Sequence, residues 1–384
     1  MPPEPLPTRL DSLTGLRWWA AFAVFLFHLR VFAPLPVIGP LLPFGNYGVT
    51  FFFILSGFVL TWSAKPGTRP TTFWWRRFAR IYPAHLFALL LAIPVFYHVT
   101  PDPSQWWVKP LSIGVLLLSV FLVQGWSNEP SILFSGNPAA WTLTCEAFFY
   151  ALHPALYRLF RGFRARGALT LTLAVVCAAF LFRVGVILFP GSWLAALPLP
   201  ITRVSEFIIG IGLAHAMRHG WLPRIKPIWC YFAGGALLVW LVLAARFGLA
   251  DPLSRWAQLT ANEWIIVIFS FTIVSIACRD IRGGRSLLRH PILVKLGEWS
   301  FCFYLVHATI MYVFLAGFGA QAISWTNIGW QALVFILALL ASWAMHSCLE
   351  KPVERRMRKW WDRRESSKNA RHAQEQALSS SPGH

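Results

Sequence analysis

Residues 13–32 read LTGLRWWAAFAVFLFHLRVF, and the fold turns on how this stretch is read. Twenty residues of α-helix rise about 30 Å, the thickness of a bilayer's hydrocarbon core. The stretch is apolar enough to lie there, yet it carries Arg17 and His28. Eleven residues, about three turns, separate the two, so they share one helix face roughly 16 Å apart along the axis. Ionisable groups in hydrocarbon are costly and normally face a bundle interior, which makes the pair a candidate functional site.

Composition places this helix in a polytopic membrane protein. Of 384 residues, 57% are hydrophobic and only 13% charged, which is not the profile of a soluble domain. The 21 tryptophans fit the same class, because Trp collects at membrane–water interfaces. A net charge of +19 would point to nucleic acid in a soluble chain. Here the basic residues lie between apolar segments, where they set topology, and nucleic acid is not expected as a partner. Six cysteines (Cys145, Cys177, Cys230, Cys278, Cys302, Cys348) are scattered singly through apolar segments. They show neither a disulfide framework nor metal-ligand spacing, so no metal is expected. The N-terminus MPPEPLPTRLDS lacks the basic and small-residue signals of a cleaved leader, so the first helix should stay in the mature protein.

Apolar segments of spanning length fall at 13–32, 45–64, 79–98, 139–157, 168–189, 200–217, 228–246, 261–278, 298–318 and 328–347. An eleventh, 111–123, is short. Lys and Arg crowd into 65–80, 158–166, 218–226, 279–295 and the tail. The positive-inside rule then puts both termini in the cytoplasm and allows an even number of crossings between the first two basic loops. Segment 111–123 is therefore read as re-entrant or interfacial. The expectation is an all-α polytopic bundle of about ten transmembrane helices, with an eleven-span arrangement ranked second. It divides into a cytoplasmic segment at 1–10, a membrane domain at 11–350 and a basic tail at 351–384 that ends in disorder. No internal repeat is evident, which counts against a transporter built on inverted repeats.

Counting along each span gives depth. Arg17 falls near the inner end of the first helix. His28, Glu146, Arg183, Arg203 and Glu206 all fall in the outer part of theirs. Arg77 and Arg80 share one side of the third span at its inner end. Paired guanidinium forks suit a phosphorylated donor, and a histidine near a carboxylate suits acid/base work on a hydroxyl. Blander readings stand beside these. Arg76, Arg77 and Arg80 also suit topology anchors, and Arg203 and Glu206 also suit a self-neutralising pair. His307, mid-span and apart from the outer group, reads as a hydrogen-bonded core residue. His85, His98 and His153 read as snorkelling groups at helix ends.

Several stretches resemble the acyltransferase-3 family of integral membrane acyltransferases. They are Arg17-x10-His28, GNYGVTFFFILSGFVLTW (45–62), RRFARIYP (76–83), AAWTLTCEAFFY (139–150), LGEWSFCFYLVH (296–307) and CLEKPVERR (348–356). They occur in the family's order over residues 10–356. Departures are small: Thr142 and Thr144 replace serine, Ala147 a second acidic residue and Phe301 a tyrosine. The resemblance implies acyl transfer, commonly of acetyl, from acyl-CoA as donor substrate to a carbohydrate hydroxyl. It implies no bound cofactor, and a place in the bacterial inner membrane. It makes His28 and Glu146 the catalytic pair and Arg17, Arg77 and Arg80 the donor site; Arg183, Arg203 and Glu206 are acceptor-side candidates by their shared outer depth alone. Rival classes are a transporter or flippase of acyl groups or lipid-linked sugar, and a non-catalytic part of a polysaccharide assembly complex.

Overall fold

The computed structural model describes residues 7, 9–246 and 252–379, with side chains as far as Ser367. The long helices are α1 (Asp11–Leu29), α2 (Gly48–Trp62) and α3 (Pro70–Phe96). The short α4 (Ile113–Val120) is followed by α5 (Trp141–Arg161), α6 (Ala165–Leu188), α7 (Val204–Arg218), α8 (Pro227–Arg246), α9 (Ala261–Ile281), α10 (Pro291–Phe318) and α11 (Asn327–Ala344). The last helix is α12 (Lys351–Ser379). Among the described residues the only strand pairing is two residues long, Tyr97–His98 with Lys109–Pro110. The chain is an all-α polytopic bundle.

Eight helices are long and apolar enough to cross a membrane. The other two expected spans are helices as well. Glu146, Arg158 and Arg161 reduce the hydropathy of α5, and α7 has 15 residues, a length of about 22 Å. Within 111–123 the helix is α4, at eight residues only about 12 Å long and too short to cross the hydrocarbon.

The tail is helical through Ser379 and lies back along α3, where Trp75 donates to Met357 O and Thr72 to Glu365. Arg76 pairs with Asp362, and Arg80 with Glu354. The acidic residues scattered through this basic stretch supply the partners that hold the helix down. Residues 380–384, and most of 1–10, lie outside the described residues.

The bundle's centre is α2. Of its apolar window, which begins at Gly39, 61% is buried, against 6% for α6, so α6 faces lipid. Close approach between helices in lipid needs small residues, and glycines supply it here. Gly57 of α2 rests on the Phe207 carbonyl of α7, and Gly210 of α7 rests on the Ile54 carbonyl of α2. A side chain at either position would strike backbone. The same device clasps α1 from two sides: Gly45 and Gly48 sit on Ala23 and Ala20, and Gly297 of α10 sits on Thr14. The helix that carries Arg17 and His28 is thus fixed by backbone contacts on both flanks.

Candidate active site

Two groups of polar side chains flank α1's inward face. The first lies toward the basic end of the bundle. Arg17, Arg77, Arg80, Glu146 and Tyr150 line one cavity of about 130 Å³. Arg80 is neutralised there, by an ion pair with Glu350 and by Glu354 at 3.1 Å. Cys302 Sγ and His346 Nδ1 both donate to the other oxygen of Glu350, at 2.9 and 2.8 Å. Cys302 of α10 thus meets His346 and Glu350 of a short π-helical stretch, Met345–Glu350, and the three bring ligand-type atoms together. Their atoms are spent on hydrogen bonds that aim Glu350 at Arg80. Glu146 accepts from Tyr150 at 3.0 Å. Arg17 and Arg77 have neither ion pair nor hydrogen bond among the described residues, and Arg77 Nε is buried without a partner. The cavity therefore holds two free guanidinium groups against one carboxylate.

Arg77 also lines a wider recess of about 220 Å³ at the basic end, together with Lys65, Arg76, Arg158 and Arg161. No carboxylate lines it. In the other direction Arg17, Phe52, Glu146 and Phe301 continue into a smaller space of about 50 Å³ walled by Thr142, Ser300 and Tyr304. Shared walls thus run from an exposed basic mouth to the middle of the bundle. A third space, about 440 Å³ and apolar, adjoins at Arg77, Ile81 and Tyr150.

The second group is a pair of histidines. His28 Nδ1 lies 2.9 Å from Val24 O and 3.1 Å from His307 Nε2. The His307 ring is packed against Phe25, Phe303 and Tyr304. Tyr304 joins the two groups: it lines the inner space beside Arg17 and Glu146, and its hydroxyl donates to Ala139 O at 3.1 Å.

Two sequence expectations change here. Glu146 stands with Arg17, Arg77 and Arg80, not with His28. Counting from the end of its span misplaced it, because α5 starts inside the bundle, just after buried Asn137, which donates to Leu305 O, and runs to the basic mouth at Arg158 and Arg161. His307 is not remote from His28 but in contact with it. Its helix begins at Pro291, seven residues before the apolar stretch, so His307 stands 16 residues along α10, much as His28 stands 17 along α1. The signal that could have found it is a polar stripe, Gly297, Ser300, Tyr304 and His307, on one face of an apolar helix.

Arg183, Arg203 and Glu206 form a separate network. Arg203 donates to Thr50 at 2.8 Å and to Asn262 at 3.1 Å, and pairs with Glu206 at 3.2 Å. Arg183 donates to Leu259 O at 2.7 Å. Both arginines line a cavity of about 570 Å³ between α6, α7 and α9. This network meets the first group at Phe53, whose ring lies 5.4 Å below Arg203 and also walls the inner space. His85 and His153 do not snorkel. Both are buried, hydrogen-bonded to Ser119 O and Thr61 respectively.

Residues 10–347 match the model of an acyltransferase domain. The chain is 36% identical to Acyltransferase MdmB of Streptomyces mycarofaciens, over 92% of this chain and 94% of that one. It is 25% identical to Nodulation protein 10 of Rhizobium leguminosarum bv. viciae, covering 80% and 82% of the two chains. Identity is 28% to Peptidoglycan O-acetyltransferase OatA of Listeria monocytogenes, over 52% of this chain and 31% of that one. No solved structure matches.

Proposed function

We propose that this chain, which belongs to the acyltransferase-3 family of integral membrane acyltransferases, moves an acyl group, commonly acetyl, from acyl-CoA to a carbohydrate hydroxyl. The chain is an acyltransferase of the O-acetyltransferase kind. The donor, the acceptor and the residues that serve them are inferred.

The observation that carries the reading is the pair of unpartnered guanidinium groups, Arg17 and Arg77, in a cavity that opens on a basic mouth. Unneutralised charge at this depth is costly, and an anionic ligand would offset it. Coenzyme A offers phosphates to Lys65, Arg76, Arg158 and Arg161, which match phosphate oxygens by charge and by fork geometry. Its long apolar-to-polar arm suits the narrower cavity beyond Arg77. The positive-inside rule supports a cytoplasmic position for this mouth and both termini, and the family supports a bacterial inner membrane. Acyl-CoA enters as a co-substrate, not as a resident group.

In this scheme His28 takes the proton from the acceptor hydroxyl as its oxygen attacks the thioester carbonyl. The C–O bond forms, the C–S bond breaks, and the leaving thiolate takes up the proton. Glu146, beside Arg17, steadies charge around the thioester. The acceptor approaches from the opposite face. There the cavity lined by Arg183 and Arg203 offers Asn46, Thr202 and Asn262 to hydroxyls and an apolar wall at Phe182. That mixture supports a saccharide carried on an apolar unit. The names of the relatives, one of them a peptidoglycan O-acetyltransferase, support the same class.

The test uses the purified protein in liposomes with acetyl-labelled acetyl-CoA and a panel of saccharides. Label should appear as an ester on the saccharide, and His28→Ala should lower the rate by about 10²–10⁴-fold. Transfer at the native rate by the variant would overturn the catalytic role. Label that crossed the bilayer without being esterified would identify a transporter instead.

A further inference from the structure

Buried histidines in contact must divide their protons, and here the backbone divides them. A carbonyl oxygen only accepts, so His28 Nδ1, 2.9 Å from Val24 O, carries a hydrogen. His307 Nδ1 lies 3.1 Å from Phe303 O and carries one for the same reason. A neutral imidazole has a single N–H, so both rings keep a lone pair on Nε2. The His307 lone pair then faces the His28 Nδ1–H at 3.1 Å and accepts from it. His28 Nε2 keeps its lone pair, with no partner among the described residues, and it is not among the sealed-in polar atoms.

We propose that His307 is the positioning residue for His28, a second acceptor that shares the Nδ1–H with Val24 O and holds the ring with Nε2 as the free base. The inference rests on the reading of His28 as the base. In the neutral ring the bond between the two histidines is an ordinary one. Once Nε2 has taken the acceptor's proton, the same Nδ1–H belongs to an imidazolium, and the bond becomes charge-assisted. The contact therefore strengthens as the reaction proceeds, which is the condition for lowering a barrier and not merely holding a ground state. The arrangement has the logic of a base oriented by a third group, with a neutral imidazole in the orienting position. A neutral partner suits this depth, because a carboxylate would leave a buried charge whenever His28 is unprotonated. The ring of His307 cannot swing away: it is 1% exposed and lies between Phe25, Phe303 and Tyr304.

The experiment compares two amides in the reconstituted protein. In His307→Gln the side-chain oxygen reaches the place of Nε2 and can accept from His28. In His307→Asn it stops near the place of Nδ1 and cannot. The two are alike in polarity and in burying an amide, so general damage to packing affects both. Gln is expected to stay within about 3-fold of native kcat, while Asn falls about 10-fold, the worth of one hydrogen bond to a charged group. The KM for acetyl-CoA should stay unchanged in both, since neither touches the donor cavity. Equal kcat in the two variants, or a lower kcat for Gln, would overturn the proposal. His28→Ala is run beside them. If it keeps native activity, the reading of His28 fails, and the positioning role falls with it.

Discussion

The bundle holds two arginine clusters at similar remove from water, and they differ in what their charges meet. Around Arg203 the guanidinium donates to Thr50 and Asn262 and stands in an ion pair, without a hydrogen bond, with the carboxylate of Glu206. Around Arg17 and Arg77 the guanidinium groups face open cavity, and the one carboxylate beside them, Glu146, is engaged by Tyr150. Residue types alone do not separate a structural pair from a binding site inside a membrane. Charge left over after all protein partners are counted does. A fold has no use of its own for an unneutralised guanidinium in hydrocarbon, whereas a site for an anion requires one.

This contrast can be broken in several ways. The largest effect is expected at Arg203. Its replacement by Ala strands the buried Glu206 carboxylate and should cost about 3–5 kcal/mol of stability. Thermal unfolding in detergent should report this, and Arg203→Met with Glu206→Leu should recover most of the loss. Arg17→Ala or Arg77→Ala breaks no ion pair and no hydrogen bond among the described residues. Either variant should keep native unfolding temperature while transferase activity falls by about 10²-fold, the loss of a desolvated charge contact to the donor. If those variants unfolded as readily as Arg203→Ala, the distinction between the clusters would be lost. Glu350→Gln removes the charge that holds Arg80 and should raise the donor KM by about 10-fold, one charge-assisted hydrogen bond's worth. Steady-state kinetics at saturating acceptor would show whether kcat stays put. The smallest effect belongs to Arg9, exposed and paired with Asp11 and Glu298 at the mouth of α1. Arg9→Ala should cost under about 1 kcal/mol, as exposed pairs do.

Much of this was legible in the residues. Apolar runs located all ten long segments, because hydropathy over a spanning length dominates any local signal. The short segment 111–123 was also read correctly as no ordinary span. The grouping of Arg17 with Arg77 and Arg80 followed from topology, since all three stand within the first three turns of α1 and α3, helices that the positive-inside rule starts on one side. What the sequence hid was helix ends. The amphipathic first turns of α10, from Pro291 to Gly297, extend beyond its apolar run, and that extension shifts His307 by about 10 Å. On α5 the hidden feature is a start buried in the bundle, beside Asn137, which shifts Glu146. The folded-back tail was hidden for another reason. Its contacts with Arg76, Arg80 and Thr72 depend on charges paired across some 290 positions of chain, which no local pattern announces.

The glycine contacts show a third level of legibility. Gly57 and Gly210 can each be read as small residues in apolar helices, but only the fold shows that each sits on the other's helix backbone. That crossing of α2 and α7 holds Phe53 between the two arginine clusters, and so keeps the neutralised network apart from the free one.

The central claim is that the free guanidinium groups hold an anionic donor, and equilibrium binding tests it most directly. Acetyl-CoA titrated calorimetrically into the purified protein should bind the native chain and the Arg203→Met, Glu206→Leu protein alike, and bind Arg17→Ala and Arg77→Ala at least 10-fold more weakly, about 1.4 kcal/mol. Undiminished binding by both single variants would contradict the account.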